Sequence, residues 1–173
     1  MIAFFKGKGR YAIDPLNEFF EKNPVLMKSR DKEVKYFQGY GESLPFREGY
    51  FSLVIIDNVL DHTQSPQDVL KETMRVLAPG GFLYLMVNVH TSLGFAVRCL
   101  MEMFQIDKGH PHSYTRDGVR RFLENIGFEV CDEELEDYMK SRRSELKSGY
   151  LKNKLKVMLG ISDIQYEVLA KRR

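Results

Sequence analysis

The run FSLVIIDNVLDH (Phe51–His62), followed by RVLAPGGFLYL (Arg75–Leu85), decides the fold class. Phe51–Ile56 is a continuous apolar run of strand length, the pattern of a strand buried on both faces. A helix should follow it. Ser65 is placed to cap that helix, Pro66 stands at its first position, and Asp68 completes a capping-box spacing. Val69, Leu70, Thr73, Met74 and Leu77 share one face at helical spacing. Pro79-Gly80-Gly81 should end the helix sharply, and Phe82–Val89 (FLYLMVNV) reads as the next strand.

The same alternation extends in both directions. Upstream, Arg10–Asp14 and Val34–Phe37 are strand candidates, with a short helix after Pro15. Downstream, Leu93–Phe104 reads as a helix, and Thr115 can cap another that buries Val119, Phe122, Leu123 and Ile126 and stops at Gly127. Phe128–Cys131 and Ile164–Ala170 complete the strands. Strands alternating with amphipathic helices predict an α/β fold with a mainly parallel sheet and a late antiparallel strand.

Composition sets the frame. The 173 residues make one domain's worth, and 43% hydrophobic with 29% charged residues is ordinary for a soluble globular chain, which excludes collagen-like, low-complexity and strongly disordered classes. Two cysteines, Cys99 and Cys131, form neither a zinc spacing nor a disulfide framework, and no signal-peptide pattern opens MIAFFKGKGR, so cytoplasmic residence is expected. Val76–Val97 carries no charge, but its Pro79-Gly80-Gly81, Asn88 and His90 read as loop and strand, so no transmembrane segment is expected.

The net charge is +2, yet Lys140–Lys156 holds seven basic residues and one acidic, leaving −4 for the rest. Leu151, Leu155, Met158 and Leu159 recur at helical spacing there. Nucleic acid, an anionic membrane or a phosphorylated substrate could use such a segment. The expected reading is a solvated helix packed through those leucines, with no nucleic-acid partner.

In open α/β sheets ligands sit at the carboxyl ends of the strands. Asp14 ends the first strand and could hold ribose hydroxyls, or simply form the turn before Pro15. Gly41-Glu42-Ser43-Leu44-Pro45-Phe46 follows the second and could read an adenine edge, or be a polar loop anchored by Leu44 and Phe46. After the third strand, Asp57, Asn58, Asp61 and His62 lie within six residues at the sheet mouth. His62 is a general-base candidate because imidazole titrates near neutrality; alternatively Asp61 or His62 caps the next segment. His110 and His112, with His90 and His62, show no metal-ligand spacing, and no metal is expected.

In combination, the acidic strand end, ESLPF, FSLVIIDNVLDH and RVLAPGGFLYL resemble the class I S-adenosylmethionine-dependent methyltransferases, in their broad small-molecule branch, from about Arg10 to Val130. The resemblance implies a Rossmann-like methyltransferase sheet, a single domain over residues 1–173, and a basic helical insertion at about 134–160. It implies S-adenosylmethionine as cofactor and methyl transfer to a small-molecule hydroxyl or amine. Asp14 would hold the ribose, Leu16 would pack on adenine, and Gly41, Glu42 and Ser43 would flank its edge. Asp57 and Asn58 would lie beside the methionine portion, near the transferred methyl. Asp61, His62 and His110 would serve catalysis, with His90 and the 109–112 loop bordering the substrate.

Two departures stand beside the resemblance. Tyr40 occupies a place where many relatives carry an acidic residue. The family's first strand and glycine-rich loop should precede Asp14 by about twenty residues or more, and the chain starts at Met1, so a truncated sheet with two unpaired edges is expected. Met1–Phe5 could be the tail of a helix, or a strand with Lys6–Gly9 as its turn; otherwise the chain is a fragment, or a homo-oligomer or partner chain covers the gap. A non-catalytic assembly module is therefore the alternative function. A nicotinamide-dependent oxidoreductase would need G-x-G-x-x-G before Asp14 and would leave LPF and NVLDH unexplained.

Overall fold

The computed structural model describes residues 9–104 and 111–173. Met1–Phe5, with its helix or strand reading, and His110 lie outside them. The described chain forms two sheets.

The first sheet is small. Strand β1 (Arg10–Asp14) runs parallel to β2 (Val34–Gln38), in register from Arg10 opposite Val34 to Asp14 opposite Gln38. Helices α1 (Asn17–Glu21) and α2 (Pro24–Lys28) make the crossover. The buried Arg10 guanidinium spans Asp31 Oδ2 at 2.8 Å and Glu33 Oε2 at 2.7 Å, fixing where β2 starts beside β1.

The second sheet has the order β3-β4-β6-β5. Strands β3 (Phe51–Asp57) and β4 (Leu77–Val89) are parallel, whereas β6 (Ile164–Arg172) is antiparallel to both β4 and β5 (Phe128–Leu135). The sheet is thus mixed rather than mainly parallel. Strand β4 starts at Leu77, directly after helix α3 (Pro66–Val76), so Pro79-Gly80-Gly81 does not separate helix from strand. It lies inside β4, where the register against β3 shifts between Phe51 and Leu53. Gly81 permits this close approach, because a Cβ there would stand 2.9 Å from the Ala78 carbonyl and 3.2 Å from that of Ser52.

Alternation along β4 sorts its side chains. Leu83, Leu85, Val87 and Val89 are fully buried under α3 and α5 (Arg116–Ile126), with Leu70, Val119, Leu123 and Phe128 in the same core. Each such side chain contributes about 1.5–3 kcal/mol by leaving water. Phe82, Tyr84, Met86 and Asn88, on the opposite face, stay partly exposed. The same holds along β3, where only Ile56 is buried. The expected burial of Phe51–Ile56 on both faces is therefore corrected: among the described residues β3 is a sheet edge, pairing with β4 alone.

Aromatic side chains tie the two sheets together. The Tyr11 ring on β1 lies 5.7 Å from Phe51 on β3, and the Tyr11 and Tyr50 hydroxyls are 2.8 Å apart. The helix caps follow the sequence signals: Ser65 Oγ accepts from Asp68 N, Thr115 Oγ accepts from Gly118 N, and Gly127 takes φ 110°.

The remaining helices are α4 (Ser92–Met103), α6 (Tyr138–Lys147) and α7 (Leu151–Met158). The basic segment is thus two helices, and the packing expected of it is reversed. Leu151, Leu155, Met158 and Leu159 are exposed, while Val157 is buried and Lys156 pairs with Asp163. No helix among the described residues is long and apolar enough to cross a membrane.

Candidate functional site

The carboxyl ends of β3 and β4 converge on a polar niche. Strand β3 ends at Asp57, and Asn58 turns the chain with φ 52°, its N–H donating to the Met86 carbonyl at 2.9 Å and its Oδ1 accepting from Asn88 Nδ2 at 3.0 Å. Asparagine tolerates this left-handed conformation better than most residues. The turn leads into a 3-10 segment, Leu60–His62, anchored by the fully buried Leu60.

That anchoring turns Asp61 inward. The residue is 5% exposed, and its Oδ1 is buried without a hydrogen-bond partner. Its Oδ2 lies 3.8 Å from His62 Nε2. A buried carboxylate oxygen normally takes a donor, so the orphan Oδ1 is the chemically conspicuous atom here. It lines a niche of about 30 Å3, together with Asn88, His90, Arg98, His112, Lys156 and Asp163.

Two imidazoles in the niche have their tautomers set by carbonyls, which can only accept. The neutral His90 ring donates from Nδ1 to the Ser162 carbonyl at 3.3 Å, leaving the lone pair on Nε2. His112 donates from Nε2 to the Thr63 carbonyl at 3.0 Å, leaving it on Nδ1. Burial pushes the His90 pKa below its usual value, with nearby Asp163 acting in the opposite direction, so the ring is held neutral. Tyr114, whose hydroxyl donates to the Leu60 carbonyl at 3.4 Å, is pushed well up by burial and by the charge of Asp61.

His112 also borders a cavity of about 440 Å3. Its other walls include Phe95, Cys99 and Glu102 of α4, Tyr114, and Phe122 of α5. Burial raises the Cys99 thiol above its usual pKa, so it stays protonated. The niche and this cavity share His112, and the cavity wall mixes Phe95 and Phe122 with the polar Gln64, Gln67, Glu102 and Ser113.

The sequence-predicted residues divide between two places. Asp61, His90 and His112 come together in the niche. His62 is beside it, with its side chain 41% exposed. Asp14 stands at the end of β1, where Oδ1 accepts from Leu16 N at 2.7 Å and Oδ2 accepts no hydrogen bond among the described residues. Leu16 and Asp57 are exposed. Gly41 lies against α3, its Cβ position 3.2 Å from a Val69 methyl. Glu42 Oε1 accepts from Gln64 N at 2.9 Å and Ser65 N at 3.3 Å, and Ser43 is exposed in the same loop. None of these latter residues lines either cavity.

Sequence reasoning did not place Asn88, Arg98, Tyr114, Lys156 or Asp163 in the site. The signal for Arg98 was a charge inside an otherwise apolar helix pattern; Asn88 was a polar residue ending an apolar strand. Among the described residues, no three His, Cys, Asp or Glu side chains group as a metal site.

Comparison with known proteins gives this site its family setting. Residues 6–85, which include Asp14, ESLPF and NVLDH, match the methyltransferase domain family. The chain is 37% identical over 68 residues to demethylmenaquinone methyltransferase of Lactococcus lactis, covering 39% of this chain and 27% of that protein. It is 29% identical over 63 residues to norajmaline N-methyltransferase of Rauvolfia serpentina, covering 36% of this chain and 22% of that one. The matched stretches thus span about a quarter of these curated relatives. A crystal structure assigned as a methyltransferase from Bacillus halodurans superposes with a TM-score of 0.69 at 19% identity, covering 94% of this chain and 82% of that one. Residues 6–85, just under half of the chain, thus match the methyltransferase domain family, and the described fold is that of a solved methyltransferase structure.

Proposed function

We propose that the chain transfers a methyl group from S-adenosylmethionine to a hydroxyl or amine of a small molecule. The observation that carries this is the buried, unpartnered Asp61 Oδ1 at the carboxyl ends of the sheet, in a niche that shares His112 with a larger cavity of mixed lining. The residues expected to hold the cofactor fit it in part. Asp14 retains an unused carboxylate oxygen, Leu16 offers an exposed apolar side chain, and Gly41 lets the loop approach α3 closely. When bound, the cofactor supplies a methyl group on a sulfonium, so positioning supplies most of the catalysis.

The chain's own residues then have separable roles. Asp14, Leu16 and the Gly41–Ser43 loop bind the nucleoside end, while Asp57 and Asn58 border the methionine end. Asp61 Oδ1 accepts the acceptor's N–H or O–H, orients its lone pair, and takes its proton as the new bond forms. His90, neutral with its lone pair on Nε2, and His62, near Asp61, are the groups that can relay that proton outward. Tyr114, kept protonated, donates to the Leu60 carbonyl and so holds the Asp61 segment in place. Phe95 and Phe122 offer apolar contact surface to the acceptor in the larger cavity.

Titration calorimetry with S-adenosylhomocysteine, with NAD as the control, tests the reading. Micromolar binding of the first and none of the second is expected. No binding of S-adenosylhomocysteine by a chain whose circular dichroism is that of a folded α/β protein overturns it.

One observation favours a second reading. Among the described residues β1 pairs only with β2 and β3 only with β4. An assembly module that takes a partner's strand between them would use both free edges.

A further inference from the structure

We propose that helices α4 and α7 together form a face that lies on an anionic membrane surface. Both helices are mounted with their apolar stripes outward. On α7, Leu151 and Met158 are 81% and 82% exposed, and Leu155, on the same stripe at i+4, is 54% exposed. Val157 and the Lys156–Asp163 pair are turned toward the protein. On α4, Leu93 and Met103 are 71% and 69% exposed, with Leu100 between them on the stripe, while Arg98 and Glu102 point inward to the niche and the cavity. A helix that exists only to cover a core would be rotated the other way.

The two stripes are neighbours. Gly94 in the first turn of α4 touches the backbone of Gly160, just beyond α7. This contact brings the first turn of α4, which carries Leu93, to the end of α7, which carries Met158. The two helices thus present Leu93, Leu100, Met103, Leu151, Leu155 and Met158 to solvent, more large apolar side chains than scattered surface residues account for.

Charge identifies the occupant. Lys152 and Lys154 flank the α7 stripe on its two sides, Lys147 precedes it, and no acidic residue occurs between Leu146 and Ser162. An amphipathic helix with lysines beside a Leu and Met face is suited to the boundary between headgroups and acyl chains. A second copy seated on the same face would bring two lysine rows together with no acidic side chain on either stripe to pair them. No described helix can span a bilayer, so the face lies on the surface rather than crossing it. This inference does not depend on the methyl-transfer reading.

The test uses the full chain with phosphatidylcholine vesicles, with and without phosphatidylglycerol. The chain has no tryptophan, so Met158→Trp places a single reporter in the face. Its emission is expected to shift to the blue with the phosphatidylglycerol vesicles, and the chain to sediment with them, reversed by salt. Lys152→Gln should weaken partitioning about fivefold. Leu151→Glu with Met158→Glu, both at exposed positions and checked for fold by circular dichroism, should abolish it. Equal binding to phosphatidylcholine alone, no binding by the folded chain, or full binding by the double variant overturns the proposal. A dimer in sedimentation velocity that the double variant dissociates, without vesicle binding, assigns the face to a second copy instead and also overturns it.

Discussion

Gly94 and Gly160 meet through their backbones: a Cβ built on Gly94 would stand 2.5 Å from the Gly160 carbonyl oxygen. No real Cβ tolerates that distance, so glycine at 94 is what lets α4 seat against the end of α7. Gly160 itself holds φ 71°, the left-handed conformation that closes a helix. Gly94→Ala must push the two segments apart or leave strain. We expect it to destabilise the fold by about 1–3 kcal/mol, read as a lower urea midpoint at unchanged slope.

Asp61→Asn tests the niche chemistry. The amide keeps the shape of the side chain and removes its capacity to take a proton. On the proposed mechanism, turnover should fall by about a hundredfold or more, with S-adenosylhomocysteine affinity unchanged by calorimetry. Stability should hold or rise, since an unpartnered buried carboxylate oxygen is costly. Unchanged turnover would remove Asp61 from the chemistry.

His90 gives a pH signature. Burial holds its folded pKa below the ordinary 6.5, so the unfolded chain binds a proton that the folded chain refuses. The contribution is fully present above pH 6.5 and is lost as pH falls from there toward the folded pKa. Urea melts across that range should therefore show stability declining with acidification, and His90→Gln should flatten the part of the decline that belongs to this ring.

The N-terminus of α3 is tied twice, by Ser65 Oγ at Asp68 N and by Glu42 Oε1 at Gln64 N and Ser65 N. Ser65→Ala should cost about 1 kcal/mol. Glu42→Ala should lower stability as well, and on the proposed function it should also weaken S-adenosylhomocysteine binding, which Ser65→Ala should not. Calorimetry on both variants separates the two roles.

Much of this molecule is local and therefore legible along the chain. The caps at Ser65 and Thr115 and the stop at Gly127 depend on residues within a few positions of one another, and they form as their spacing dictates. The strand at FLYLMVNV follows from its own apolar alternation, and NVLDH sits at the sheet mouth because the strand before it has to end somewhere near Asp57. The family likeness rests on the same continuous segments, which is why the match covers residues 6–85.

What was not legible depends on neighbours distant in sequence. Periodicity shows that α7 has an apolar stripe, but it cannot say which side of the helix the protein takes. The Lys156–Asp163 pair and the Gly94–Gly160 contact, 66 residues apart in the chain, turn that stripe outward. In the same way, an apolar run such as FSLVII suits a doubly buried strand or a half-covered edge equally well, and the described residues place it at an edge. The sequence leaves Asp61 readable as a cap or a catalytic group, and only the fold shows that it is buried beside Leu60 with its Oδ1 lacking a donor. Local propensity is a property of a segment. Rotation, burial and pairing are properties of the contacts between segments, and those form only when the chain folds.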